Sequence, residues 1–141
     1  MRTIIPNLNY LHILVVTIVG FLLGWVWFGL VFGKAWMAEM KITPEMVAAA
    51  KAKGGMAGDF IKGFVFTLLS TFGIAALLAA HGVPNWKHGA AFGLFIGLFA
   101  PVARMLNGSV WEKRSMKLQV INVGHEAVLY ALQGAILGMW H

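Results

Sequence analysis

The chain has 141 residues, 60% of them apolar and 11% charged, with a formal net charge of +6 and no cysteine. The apolar residues are gathered in long runs, and four crossings of roughly 20 residues each would use more than half the chain, so one all-α membrane domain spanning 1–141 is expected, with no separate soluble domain. Lys and Arg flank the runs instead of forming a basic stripe interleaved with aromatics, which argues against a nucleic-acid partner, and without Cys there is no disulfide, thiolate nucleophile or Cys-ligated metal.

The first run covers about 8–32. It is too long for a secretory leader and lacks a small-residue cleavage site, so it reads as a permanent helix. The longest polar stretch follows, where Thr43-Pro44-Glu45 reads as an N-cap with Pro at the first helical position. A short cytoplasmic amphipathic helix over Glu45 to Lys53 is expected there, stopped by Gly54 and Gly55. The second run, about 60–80, closes on His81-Gly82-Val83-Pro84, which places a turn near Gly82 to Trp86. The third run, about 89–106, contains Pro101, which removes one backbone donor and kinks the helix about a turn from its end. The fourth run is about 118–140. Together these predict a four-transmembrane-helix bundle.

Orientation follows from the basic residues, because positively charged loops resist translocation. Lys34, Lys41, Lys51, Lys53, Lys62, Arg104, Lys113, Arg114 and Lys117 fall on one side, and only Arg2 and Lys87 on the other. The expected placement is a bacterial cytoplasmic (inner) membrane, with both termini outside and the longer loops in the cytoplasm. Lys34, Trp36 and Trp111 then anchor the inner interface, and Trp86 and Trp140 the outer one.

Helices in lipid associate through small residues and hydrogen bonds, since lipid is as apolar as Leu. Gly89, Gly93 and Gly97 recur every four residues, as do Gly20 and Gly24 in the first helix and Gly134 and Gly138 in the fourth. Each pattern lines one helical face. On the fourth helix, Gln119, Asn122, Glu126, Tyr130 and Gln133 fall within a sector of about 80°, beside a sector of small residues. A carboxylate at that depth costs on the order of 3 kcal/mol by insertion scales, so Glu126 is expected to face the protein interior. It reads either as a proton- or ion-handling group, or as a strut tying helices through Thr67, Ser70, Thr71 or the indoles of Trp25 and Trp27. His125 projects nearly opposite this stripe, beside Ile121, Val128 and Leu132, which suggests contact with another subunit.

Five histidines raise the possibility of metal or haem. His12 and His125 are separated by roughly 15 Å along the bilayer normal, too far to share a haem iron. His12, His81, His88 and His141 could gather at the outer surface, but no metal-ligand spacing supports a site there and no cofactor is expected. Neither a Gly-x-Ser-x-Gly elbow nor a phosphate-cradling Gly loop is present.

The segment Gly24-Trp25-Val26-Trp27-Phe28-Gly29-Leu30-Val31-Phe32-Gly33-Lys34-Ala35-Trp36-Met37 resembles the hallmark of a bacterial family catalogued as domain of unknown function 1761. That family's pattern is a Trp-Tyr pair, then Phe-Gly-Lys and Trp. Here Trp27-Phe28 stands for Trp-Tyr, losing a phenolic hydroxyl, while Phe32-Gly33-Lys34 and Trp36 match. Asn122 and the ending Gly134-Ala135-Ile136-Leu137-Gly138 also resemble the family's last helix. The resemblance implies four transmembrane helices and no particular activity. Gly33 can end the first helix, with Lys34 reaching inner-leaflet headgroups and Trp36 anchoring the connection.

Three functions compete on these grounds. The first is a non-enzymatic bundle acting as an accessory subunit or homo-oligomer in the lipid bilayer. The second is a small proton-coupled transporter or channel using Glu126, and the third a metal or haem protein using the outer histidines.

Overall fold

A computed structural model describes residues 8–140 of the chain. Those residues form α1 (Tyr10–Trp25), α2 (Gly33–Glu39), α3 (Pro44–Ala52), α4 (Ala57–His81), α5 (Trp86–Gly97), α6 (Ala103–Glu112) and α7 (Met116–Gly138). A π-helical turn, Val26–Val31, extends α1, and a second one, Leu98–Val102, joins α5 to α6. Among the described residues four segments are long and apolar enough to cross a membrane: Tyr10–Val31, Ala57–His81, Trp86–Glu112 and Met116–Gly138. Arg2 and His141 lie outside the described residues.

Helix ends follow local chemistry. The Asn9 side chain accepts from the His12 amide at 3.1 Å and caps α1. Gly82 takes a left-handed conformation (φ 61°) after α4, and Asn85 then caps α5 by accepting from the amides of Lys87 and His88. Thr43 caps α3 as its sequence predicts, and Gly54 and Gly55 both follow at positive φ. The predicted amphipathic character of α3 has no buried face to serve, since no residue of the helix is buried.

Two boundaries differ from expectation. Gly33 does not end the first helix. Phe32 interrupts it and Gly33 opens α2, where an added Cβ would meet the Phe28 carbonyl oxygen at 2.9 Å. The third segment runs on to Glu112 instead of stopping near 106, because its polar residues are satisfied within the helix: Ser109 donates to the Leu106 carbonyl at 2.7 Å and the Trp111 indole donates to Asn107 Oδ1 at 3.2 Å.

α7 is the central helix. α1 and α4 pack on one side of it, burying Ile13, Val16, Ile74, Leu78 and Leu137 towards the end that carries the 82–86 turn. On another side α5 lies directly on α7, backbone against backbone. A Cβ on Gly89 would fall onto the Gly134 carbonyl, one on Gly93 onto the Tyr130 carbonyl, and one on Gly138 would meet the Asn85 carbonyl oxygen at 2.9 Å. The small-residue repeats thus form a seam that admits no side chain. At Gly97 an added Cβ meets the Cβ of Tyr130 at 2.8 Å, and beyond it the π-turn with Pro101 carries α6 away from α7.

At the opposite, lysine-rich end, α2 is tied to the first turn of α7. Ser115 caps α7 by accepting from the Leu118 amide, and its hydroxyl donates to Glu39 Oε2 at 2.5 Å. Lys117 reaches the other oxygen of Glu39 at 3.7 Å.

Two outcomes test this arrangement. Gly93→Ala should cost about 1–3 kcal/mol by forcing the seam apart, whereas Gly73→Ala, where an added Cβ meets nothing within 4 Å, should be neutral or stabilising. Thermal unfolding in detergent checks both, and equal stability of the two variants would refute the seam. Hydrogen bonds from the Thr43 hydroxyl and from the backbone hold the Glu45 carboxyl below the usual glutamate range. A depressed value contributes stability above the unfolded pKa that is lost as pH falls through the folded one. The protection factors of the amides in Pro44–Ala52, the exchange rates corrected for the intrinsic pH dependence, should therefore fall on acidification, and a Thr43→Val variant should show a weaker pH dependence.

Candidate functional site

Where α6 parts from α7, a polar cleft of about 860 Å³ opens between them. Its α6 wall carries Arg104, Asn107, Ser109 and Glu112, its α7 wall Gln119, Asn122 and Glu126, and Arg114 lies at its mouth. At 1.5 Å per residue, Glu126 is about 15 Å from the start of α7 and Arg104 about 12 Å from the end of α6, so the two reach a similar depth. Glu112 and Arg114 pair with each other at the mouth.

The polar stripe predicted on the fourth helix splits into two parts. Gln119, Asn122 and Glu126 line the cleft. Gln133 is fully buried on the α4 side, where its amide donates to Ser70 Oγ at 3.1 Å and Thr71 Oγ1 at 2.8 Å. The strut anticipated for Glu126 is thus made by Gln133. Tyr130, between the two parts, packs on Gly97 and belongs to the seam.

His125 departs from the expectation of facing another subunit. It is 9% exposed and enclosed by its own chain, with its ring 4.7 Å from Phe28 and 6.0 Å from Trp27. The π-turn after Trp25 explains this, because it carries Trp27 and Phe28 onto α7. The Trp27 indole donates to the Ile121 carbonyl at 3.0 Å, and Gly124 leaves room for the ring, its hypothetical Cβ falling 3.1 Å from it. His125 Nδ1 lies 3.3 Å from Glu126 Oε1. An ionised carboxylate only accepts, so Nδ1 is then the donor. The other nitrogen, Nε2, faces Gly24 and has no hydrogen-bond partner among the described residues although it is fully buried.

The anchors and the remaining histidines have local roles. Trp36 meets the edge of Phe28 at 5.6 Å, Lys34, Trp86 and Trp111 are exposed, and Trp140 stacks on His12 at 4.2 Å. His81 Nδ1 donates to the Leu77 carbonyl at 2.8 Å, and His88 Nδ1 lies 3.0 Å from Asn85 Oδ1. Among the described residues no three His, Asp or Glu side chains converge as a metal site would require.

A family model described as "Protein of unknown function (DUF1761)" matches residues 11–138. The chain belongs to this family. No curated protein and no solved structure matches it significantly. The segment that resembles the family's hallmark has a structural explanation here: Trp27 and Phe28 roof His125, and Phe32-Gly33 turns the chain from the first span into α2.

Replacing Gln133 by Leu should lower stability by about 1 kcal/mol, because it leaves the Ser70 and Thr71 hydroxyls to their backbone bonds alone. Glu126→Gln, facing the cleft, should unfold with nearly wild-type stability. The reverse order in a thermal melt would show Glu126 to be the strut.

Proposed function

We propose that this protein is a small proton-coupled carrier in which Glu126 and His125 handle the proton, on a cleft that opens at the lysine-rich end. That end is the cytoplasmic one by the positive-inside rule. The observation that carries the reading is the Glu126 carboxylate lining a polar cleft at membrane depth while in contact with a roofed histidine. Intramembrane ionisable groups of this kind belong to substrate and proton pathways.

The chemistry needs few parts. A proton arriving through the cleft is held between Glu126 and Nδ1: on the carboxyl it is donated to a bare Nδ1, and on Nδ1 it is donated to the ionised carboxylate, the imidazole's other hydrogen staying on Nε2 in both cases. Trp27 and Phe28 keep water from the other side of the ring, so exchange occurs from the cleft. Arg104, Glu112 and Arg114 are the other charged groups facing Glu126 there, and the elements roofing His125 contribute aromatic rings only.

A carrier suits the geometry better than a channel. Beyond Glu126 the α5–α7 seam and the Gln133 bonds close the interior, leaving a one-sided cleft that alternating access would have to reverse. The two π-turns, at Val26–Val31 and Leu98–Val102, supply the bending points for such a change. The accessory-subunit reading draws on no comparable feature.

In liposomes with an imposed pH gradient, the protein should drive uptake of a small polar solute from a panel of succinate, phosphate, glycine and potassium. Glu126→Gln should reduce that uptake about a hundredfold or more, the range expected of one essential proton-transfer group. Unchanged uptake in that variant, or no uptake of any solute, would remove the carboxylate from the proposed role.

A further inference from the structure

We infer that the cleft binds a small oxyanion, a carboxylate or a phosphate, on the Arg104 guanidinium and the side-chain amides of Gln119 and Asn122. This rests on the carrier reading for its purpose and adds the class of solute. Among the charged groups of the cleft, Glu112 and Arg114 engage each other and Glu126 engages His125. Arg104 is the charge left over. Among the described residues it has no ion pair or hydrogen bond, and it stands about 12 Å from the end of its membrane-length segment, deeper than Lys62, Lys87 or Lys117 stand in theirs.

The second observation is independent of that charge. Gln119 is 4% exposed, yet its side-chain amide has no partner among the described residues and its polar atoms are not sealed off. It lines the cleft, so the cleft is where its amide is accessible. Asn122, one turn further along α7, likewise lines the cleft without a hydrogen-bond partner among the described residues. Buried polar groups are almost always hydrogen-bonded, which makes Gln119 the exception to be explained; with the half-buried Asn122 and the exposed Arg104 guanidinium it forms a donor set on the cleft.

The donor set selects the ligand. A guanidinium fork matches two oxygens of one carboxylate or phosphate, and each amide can donate to a further oxygen. A cation would be repelled by Arg104. An ionised Glu126 repels an anion in the same cleft and a protonated one does not, so anion binding and protonation of Glu126 favour each other. Two sources offer this chemistry at that depth: a soluble anion from the aqueous phase and the headgroup of an anionic lipid.

Isothermal titration of the purified protein in neutral detergent, with succinate and inorganic phosphate as probes and choline as control, tests the inference. Either anion should bind more tightly at low pH, and choline should not bind. Arg104→Gln should weaken anion binding at least about tenfold, as losing a charge-assisted hydrogen-bonding partner does. Should that variant misfold, Arg104→Lys and Gln119→Leu carry the test, each weakening binding several-fold. Wild-type affinity in the folded arginine variants, or no binding of either anion to the wild type, would overturn the site.

Repeating the titration in nanodiscs of phosphatidylcholine and of phosphatidylglycerol separates the sources. Competition from phosphatidylglycerol assigns the site to a headgroup, and its absence assigns it to the soluble anion. The carrier reading fails separately. Anion binding lost in Arg104→Gln, together with uptake unchanged in Glu126→Gln, would keep the oxyanion site and discard the proton role.

Discussion

The approach of two backbones at Gly89, Gly93, Gly134 and Gly138 is the constraint on which the arrangement depends. In lipid there is no hydrophobic drive to press helices together, so association relies on close packing and on the few polar groups that need partners. The seam supplies the first and Gln133, held by Ser70 and Thr71, supplies the second. Both act in the half of the molecule that carries the 82–86 turn. The other half is free of them, and the cleft lies there.

The transition between the halves falls where regular helix gives way. Pro101 cannot donate its backbone nitrogen, and the π-turn that accommodates it ends the contact of α5 with α7 just after Gly97. On another side of α7 a second π-turn, containing Gly29, brings Trp27 and Phe28 across His125. One irregularity opens the wall beside Glu126 and the other closes the wall beside His125, so neighbouring residues on α7 meet different surroundings.

Much of this was legible in residues with strong local preferences. Thr43, Gly54, Gly82 and the apolar runs marked helix ends and spans, because caps, turns and hydrophobic length act within a few residues. The Gly repeats announced tight packing without saying which helix met which. His125 was misplaced because a projection at 100° per residue describes its own helix alone, while its surroundings come from a π-turn 94 or more residues earlier, where Trp27 bonds to Ile121. In the sequence Arg104 is one more topological charge, and its place in the cleft depends on how far α6 diverges after Pro101. The continuation of the third segment to Glu112 was hidden by Asn107 and Ser109, which look like loop residues until their side chains are seen bonding within the helix.

The position of Trp27 has an optical consequence. Its indole is fixed by a hydrogen bond to the Ile121 carbonyl and its ring stands 6.0 Å from the imidazole of His125. An imidazolium withdraws electron density from an excited indole far more effectively than a neutral ring does. Trp27 is therefore a fluorophore built into the wall of the site, and the brightness of its emission records the charge carried by the histidine beside it.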